Sequence, residues 1–179
     1  MNWLNESELP ILWWIREHLT GPFMDTVMPY ISSLARHGEF WILVTLILLC
    51  FKKTRKAGVA MGMAMACGYL IGNMGMKNLF ARTRPYDATT VDLLVAKLHD
   101  FSFPSGHTLV SFEAATALTV YHRKWGIAAL VLATLIAYSR LYLFVHYPTD
   151  VLVGAVMGIG IGLLACRATD WLWTRKVKE

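Results

Sequence analysis

The chain has 179 residues, 56% of them hydrophobic and 16% charged, with a formal net charge of +5. Together with a positive mean hydropathy, this is too apolar for an ordinary soluble domain and suits a single membrane domain covering 1–179. The positive charge does not point to nucleic acid as a partner, because the basic residues gather at the ends of apolar segments.

In chain order, Asn2–Leu19 mixes the run Ile-Leu-Trp-Trp-Ile at 11–15 with Glu6, Glu8, Arg16, Glu17 and His18. That pattern suits a helix lying in the bilayer interface, so 1–22 is expected to rest on the membrane. It lacks the basic start and small-residue cleavage site of a signal peptide and is expected to stay in the mature protein. Phe23–Ala35 is interrupted by Pro29, Ser32 and Ser33 and runs toward the next span through an Arg36-His37-Gly38 break. Apolar spans follow at Phe40–Phe51, Ala57–Met76, Thr108–Tyr121, Trp125–Tyr138 and Val151–Cys166. Several fall short of the ~20 residues a bilayer-crossing helix needs, so they must draw on flanking polar residues. The expected fold is all-α, a polytopic bundle of five or six membrane helices. Cys50, Cys67 and Cys166 sit singly in apolar runs and are expected neither in disulfides nor on zinc. Residues 81–104 form an extracytoplasmic loop in which Val91, Leu94, Val95 and Leu98 follow helical spacing, predicting a short amphipathic lid.

Small residues recur at helical spacing, at Gly58 and Gly62, Gly68 and Gly72, and Gly154, Gly158 and Gly162. They are read as close helix contacts rather than ligand contacts. Lys52, Lys53, Arg55 and Lys56 form one basic cluster, Arg123 and Lys124 a second, and Arg167, Arg175, Lys176 and Lys178 a third. Five consecutive crossings place all three on one side, which the positive-inside rule makes cytoplasmic. The other side carries Lys77, Arg82, Arg84, His107, Arg140, His146 and Asp150, at or beside the ends of four spans. Charges that close to a membrane are costly unless they act, and a compact bundle gathers them in one place.

Three strings carry most of that set: Lys77 through Arg84-Pro85, Pro104-Ser105-Gly106-His107, and Ser139-Arg140 followed by His146 and Asp150. In this order and spacing they resemble the signature K-x6-RP, PSGH and SR-x5-H-x3-D of the type 2 phosphatidic acid phosphatase superfamily. The resemblance covers about 77–150 and implies a helical membrane phosphatase with its site at the non-cytoplasmic helix ends.

The chemistry of phosphoryl transfer asks for these residue types. The transition state spreads negative charge over equatorial oxygens, so an enzyme without metal must supply fixed cations and donors. Lys77, Arg84 and Arg140 suit that need, arginine as a planar two-pronged donor and lysine as a point charge. Ser105 and Gly106 open a helix whose first backbone N–H groups can face phosphate, with no side chain on Gly106 to block approach. The resemblance divides the reaction between two histidines. His146 attacks phosphorus to form a phosphohistidine, and Asp150 fixes its tautomer and stabilises the imidazolium. His107 protonates the leaving oxygen and then activates water. His146 and Asp150 could also be half of a metal site, but Pro148 and the want of further ligands oppose that, so neither metal nor cofactor is expected.

His18, His37, His99 and His122 lack such company and are read as surface or interfacial groups. Arg82 is left between a phosphate contact and a headgroup contact. Asn73, one turn before Lys77, is expected to pack or to orient that lysine. Glu113, six residues after His107, turns away from that histidine's face and is expected to hydrogen-bond between helices. The implied substrate is a lipid phosphate or diphosphate of a bacterial cytoplasmic membrane. Undecaprenyl diphosphate, phosphatidylglycerophosphate and phosphatidic acid are left unranked. Two rival readings are a vanadate-dependent haloperoxidase, which resembles this motif set but is soluble, and an anion or lipid-binding transporter using the same cations. The transporter has no need of the His146 and Asp150 pair.

Overall fold

The computed structural model describes residues 2–176, which form helices and, among those described residues, no strand. In order they are α1 (Asn2–His18), α2 (Pro22–Ser33), a 3-10 turn (Arg36–Gly38), α3 (Glu39–Cys50) and α4 (Arg55–Gly68). A π-helical stretch, Tyr69–Met76, carries α4 into α5 (Lys77–Phe80), followed by α6 (Pro85–Ala88), α7 (Gly106–Tyr121), α8 (Arg123–Tyr142) and α9 (Pro148–Lys176). Among the described residues, three segments are long and apolar enough to cross a membrane: Arg55–Ala88, Arg123–Tyr142 and Pro148–Arg175. The pair α2 and α3, bent by 45°, makes a fourth candidate. The bend falls at the Arg36-His37-Gly38 break, where His37 (φ 52) and Gly38 (φ 72) adopt left-handed backbone that no α-helix can continue through.

The 16-residue α7 is too short to span alone, yet it sits at the centre, packed by α4, α8 and α9. Small residues permit this. A Cβ on Gly158 would lie 2.7 Å from the Leu109 carbonyl oxygen, and one on Gly154 would lie 2.9 Å from that of Ser105. The close contacts expected from the glycine spacing are therefore made, with backbone of α9 against backbone of α7. Trp41, Met61 and Ile136 fill the space among α3, α4, α7 and α8, and Trp41 Nε1 donates to Ser111 Oγ at 3.0 Å. Outward, Leu43, Ile47, Leu152, Val156 and Leu164 are each at least half exposed. A belt that apolar, spread over several helices, is tolerated in lipid but not on a soluble surface.

At the opposite end from the α3–α4 connection, Leu12 of α1 is buried with Phe144 and Tyr147 of the link between α8 and α9. Here the structure corrects one expectation, because 91–98 is not a helix. Val91, Leu93 and Val95 alternate inward onto the cluster of Ile15, Met28 and Tyr86, while Leu94 points outward. The strap has no regular secondary structure and bends at 94–95, and its end is held by Tyr86, whose hydroxyl donates to the Leu98 carbonyl at 2.9 Å and accepts the Leu98 N–H at 3.0 Å. An eight-residue helix has little stability of its own, and tertiary contacts favour the irregular path.

Candidate active site

Ser105 is the N-cap of α7, and its N–H donates to the Asp150 carbonyl at 3.1 Å, which clips the 103–107 turn onto the start of α9. The first N–H groups of such a helix have no partner within it and face the space beside the turn. Ser105 Oγ lies 3.0 Å from Thr108 Oγ1. A Cβ on Gly106 would come within 2.9 Å of Asn73 Oδ1, so a side chain here would have to displace the Asn73 amide. Asn73 thus packs on the turn, and its Oδ1 has no hydrogen-bond partner.

The π-helical stretch delivers Lys77 to the same place, where its ammonium pairs with the Asp100 carboxylate. Arg84, just before α6, donates from Nε to the Asp100 carbonyl at 2.9 Å, from Nη2 to Asp100 Oδ1 at 2.6 Å and from Nη1 to the Val145 carbonyl at 2.7 Å. Burial opposes the charge on Asp100, but the Lys77 and Arg84 contacts override it and hold the carboxyl well below the usual range. Arg140 is 3% exposed, and its Nη1 donates to Ser32 Oγ. Its Nε has no partner, and no carboxylate lies within 4 Å of it among the described residues.

His146 lies in the link after α8, 1% exposed. Its Nδ1 is 3.5 Å from Asp150 Oδ2 and 3.4 Å from Ser102 Oγ, and Ser102 Oγ donates to Asp150 Oδ2 at 2.5 Å. Its Nε2 faces the other way, 3.3 Å from Arg84 Nη1. Burial, then Arg84, Arg140 and Lys77, push the imidazole well below its ordinary value, which favours the neutral ring, whose Nε2 lone pair accepts from Arg84 Nη1. Asp150 also accepts from the Tyr147 N–H at 2.9 Å.

Arg82 takes neither of the two places left open for it. It donates to Asp150 Oδ1 at 2.5 Å, Thr149 Oγ1 at 2.7 Å, Glu8 Oε2 at 2.7 Å and Asn5 Oδ1 at 2.8 Å, with Tyr147 stacked 4.0 Å beneath it. It therefore ties α1 to the carboxylate behind His146. Glu113 is a second correction, because its Oε1 makes no hydrogen bond between helices and instead fills the space left by Gly68, where a Cβ would sit 1.6 Å away. Asp100, Ser102 and Glu8 are the residues that sequence reasoning missed. The first two were signalled only by being polar and close to the Pro104-Ser105-Gly106-His107 string, and Glu8 carried no signal at all.

Lys77, Arg84, Gly106, His107, Arg140 and His146 all line one cavity of about 1190 Å³. Exposed His37 and His99, read as surface groups, line it too. Away from the charges it continues past Ile42, Leu46, Met65 and Tyr69 of α3, α4 and the π-helical stretch, three of them exposed on the outer face. Among the described residues, no three His, Cys, Asp or Glu side chains are grouped to hold a metal ion.

Fold and site together define a polytopic helical membrane protein whose helix ends hold cations, two histidines and a helix N-terminus around one cavity with an apolar continuation. The chain belongs to the PAP2 superfamily, whose family model matches residues 54–174. It is 35% identical over 158 residues to an undecaprenyl-diphosphatase of Sulfolobus acidocaldarius, covering 87% of this chain and 76% of that protein. It is 32% identical over 149 residues to the undecaprenyl-diphosphatase BcrC of Bacillus subtilis, covering 83% and 77%. Among solved structures, a transmembrane PAP2-type phosphatidylglycerolphosphate phosphatase from Bacillus subtilis superposes with a TM-score of 0.76 at 27% identity, covering 92% of this chain and 85% of that one.

Proposed function

We propose that the protein is a metal-independent lipid phosphatase acting through a phosphohistidine on His146. The observation that carries this reading is the orientation of His146, with Nδ1 against Asp150 and Ser102 and the Nε2 lone pair on the cation-lined side. A neutral imidazole so held is a nucleophile beside Lys77, Arg84 and Arg140, the donors that a phosphoryl transition state needs. His146 Nε2 forms a bond to phosphorus as the bond to the leaving oxygen breaks, and His107 supplies that oxygen with a proton. Water then attacks phosphorus, His107 takes its proton, and the N–P bond breaks to release inorganic phosphate. Arg140, buried with an unpartnered Nε and no carboxylate at hand, supports an anion as the missing partner. The donor set supports independence from metal, since its charge comes from lysine and arginine.

The apolar continuation past Ile42, Leu46 and Met65 supports a substrate whose tail stays in lipid. The names of its relatives favour undecaprenyl diphosphate, with phosphatidylglycerophosphate next. Purified protein in detergent, given a panel of lipid phosphates, should release phosphate with chelator present, and His146→Ala should abolish release for every substrate. Turnover that vanishes in chelator and returns with one particular metal ion would refute the metal-independent reading.

A further inference from the structure

Lys77 and Arg84 do not stand open in this site. Both are engaged by Asp100, whose two carboxylate oxygens divide between Lys77 Nζ and Arg84 Nη2 while its own carbonyl takes Arg84 Nε. A carboxylate bridging two cations presents the same edge of two oxygens that a phosphoryl group would. The Asp100 side chain is 52% exposed, against 8% for Lys77 and 2% for Arg84, so the cations are fixed and the carboxylate is the part free to leave. It stands two residues past Leu98, where the Tyr86 hydroxyl anchors the strap, and five before the Ser105 N-cap.

Resting on the lipid phosphatase reading above, we propose that Asp100 is a specificity-determining residue. It is an internal anion that holds Lys77 and Arg84 until a terminal phosphate displaces it, and it keeps the singly charged phosphodiester headgroups of bulk lipid out of the site. The need follows from location. Cations at a bilayer surface meet phosphodiesters at far higher density than any substrate. A phosphodiester carries one negative charge, as the Asp100 carboxylate does, and gains little by exchange with a tethered rival. A terminal phosphate, with its second ionisation near pH ~6, carries close to two. It can offer each cation a full charge and reach Arg140 as well. A competitor that occupies the site most of the time weakens every ligand by the fraction of sites left open. The net selection comes from the ligand's differential charge, and the tether supplies the threshold.

The experiment compares wild type with Asp100→Asn, close in size and uncharged, and Asp100→Glu, in detergent micelles carrying increasing mole fractions of phosphatidylglycerol, a phosphodiester. The readouts are inhibition of lipid phosphate hydrolysis and direct binding of inorganic phosphate followed by thermal shift. Wild type should be little inhibited by phosphatidylglycerol. With the lipid phosphate held well below its KM in each variant, Asp100→Asn should be inhibited at about tenfold lower mole fraction, the scale set by releasing a site occupied nine-tenths of the time. It should also bind inorganic phosphate more tightly, and Asp100→Glu should restore resistance. Unchanged phosphatidylglycerol inhibition in Asp100→Asn, or phosphate binding that weakens, would show that Asp100 only props the cations in place and overturns the proposal. Failure of the underlying reading is seen separately, as wild type releasing no phosphate from any lipid.

Discussion

Asp150 is held by four groups, Arg82, Ser102, the Tyr147 N–H and the His146 ring, and this crowding sets what single substitutions should do. Arg82 is the counter-ion of two buried carboxylates, Asp150 and Glu8, so Arg82→Ala leaves both without a cation. Breaking a buried pair from one side costs about 3–5 kcal/mol, and thermal unfolding in detergent should show a loss of that size. A midpoint within a degree of wild type would mean that the network carries no stability. The two histidines should separate by leaving group. His107→Ala should lower turnover of a lipid phosphate by about 10²- to 10⁴-fold, the range of general acid catalysis. It should spare the first step for p-nitrophenyl phosphate, which departs as a stable anion, and phosphoenzyme should accumulate because water is no longer activated. Equal penalties for both substrates without trapped phosphohistidine would remove the acid role from His107. At this scale the sequence was most legible where chemistry is packed into short strings, as at Ser105, Gly106 and His107. It was silent where a partner comes from far along the chain, as with Glu8 and Arg82, 74 residues apart. Arg82 itself was visible as a charge, but its direction was decided by α1, which no local pattern connects to it.

Helix α9 shows how spacing in one element positions chemistry in another. Gly154 and Gly158 let α9 lie on the backbone of Ser105 and Leu109, and the same approach brings the Asp150 carbonyl to the Ser105 N–H. Gly158→Ala would drive a methyl to 2.7 Å from a backbone oxygen, a clash that side-chain motion cannot relieve. It should destabilise by about 1–3 kcal/mol, as overpacking does, and lower kcat because the turn carrying His107 shifts with α7. Gly160, on the same helix, has nothing within 4 Å of its Cβ position, so Gly160→Ala should be neutral or stabilising by roughly 0.5–1 kcal/mol through helix propensity. The pair is read by thermal unfolding, and equal effects at both positions would mean that the tight contact is not sensed. The glycine period was readable because close packing of helices in lipid leaves a regular four-residue mark. The π-helical stretch before Lys77 and the irregular path of 91–98 were not, since both are chosen by tertiary contacts over local preference. The residues that follow a helical spacing there, Val91, Leu94, Val95 and Leu98, differ by a single position from the set that packs inward, Val91, Leu93, Val95 and Leu98.

For the whole molecule, the distribution of charge between the two ends predicts orientation. Lys56 pairs with Asp170 at 2.7 Å, and Tyr121 donates to the same carboxylate at 2.8 Å, so the ends of α7 and α9 and the start of α4 meet at one face. Lys52, Lys53, Arg55, Arg123, Lys124 and Arg167, which flank those residues in sequence, fall at the same helix ends, while Lys178 lies outside the described residues. His107 opens α7 at the other end, about 24 Å away at 1.5 Å per residue over 16 residues. Because cytoplasmic ends collect lysine and arginine, the Lys56 face should be cytoplasmic and the cavity with His107 and His146 should open outward, where the headgroup of an outer-leaflet lipid can reach it. The test uses a background in which Cys50, Cys67 and Cys166 are replaced, so that the introduced cysteine is the sole thiol. Single cysteines are then placed at Asp92, exposed on the strap, and at Arg123, exposed at the start of α8. An impermeant thiol reagent applied to intact cells should label the Asp92 site and leave the Arg123 site unlabelled until the membrane is opened. Labelling at Arg123 alone would invert the topology and move phosphate release into the cytoplasm.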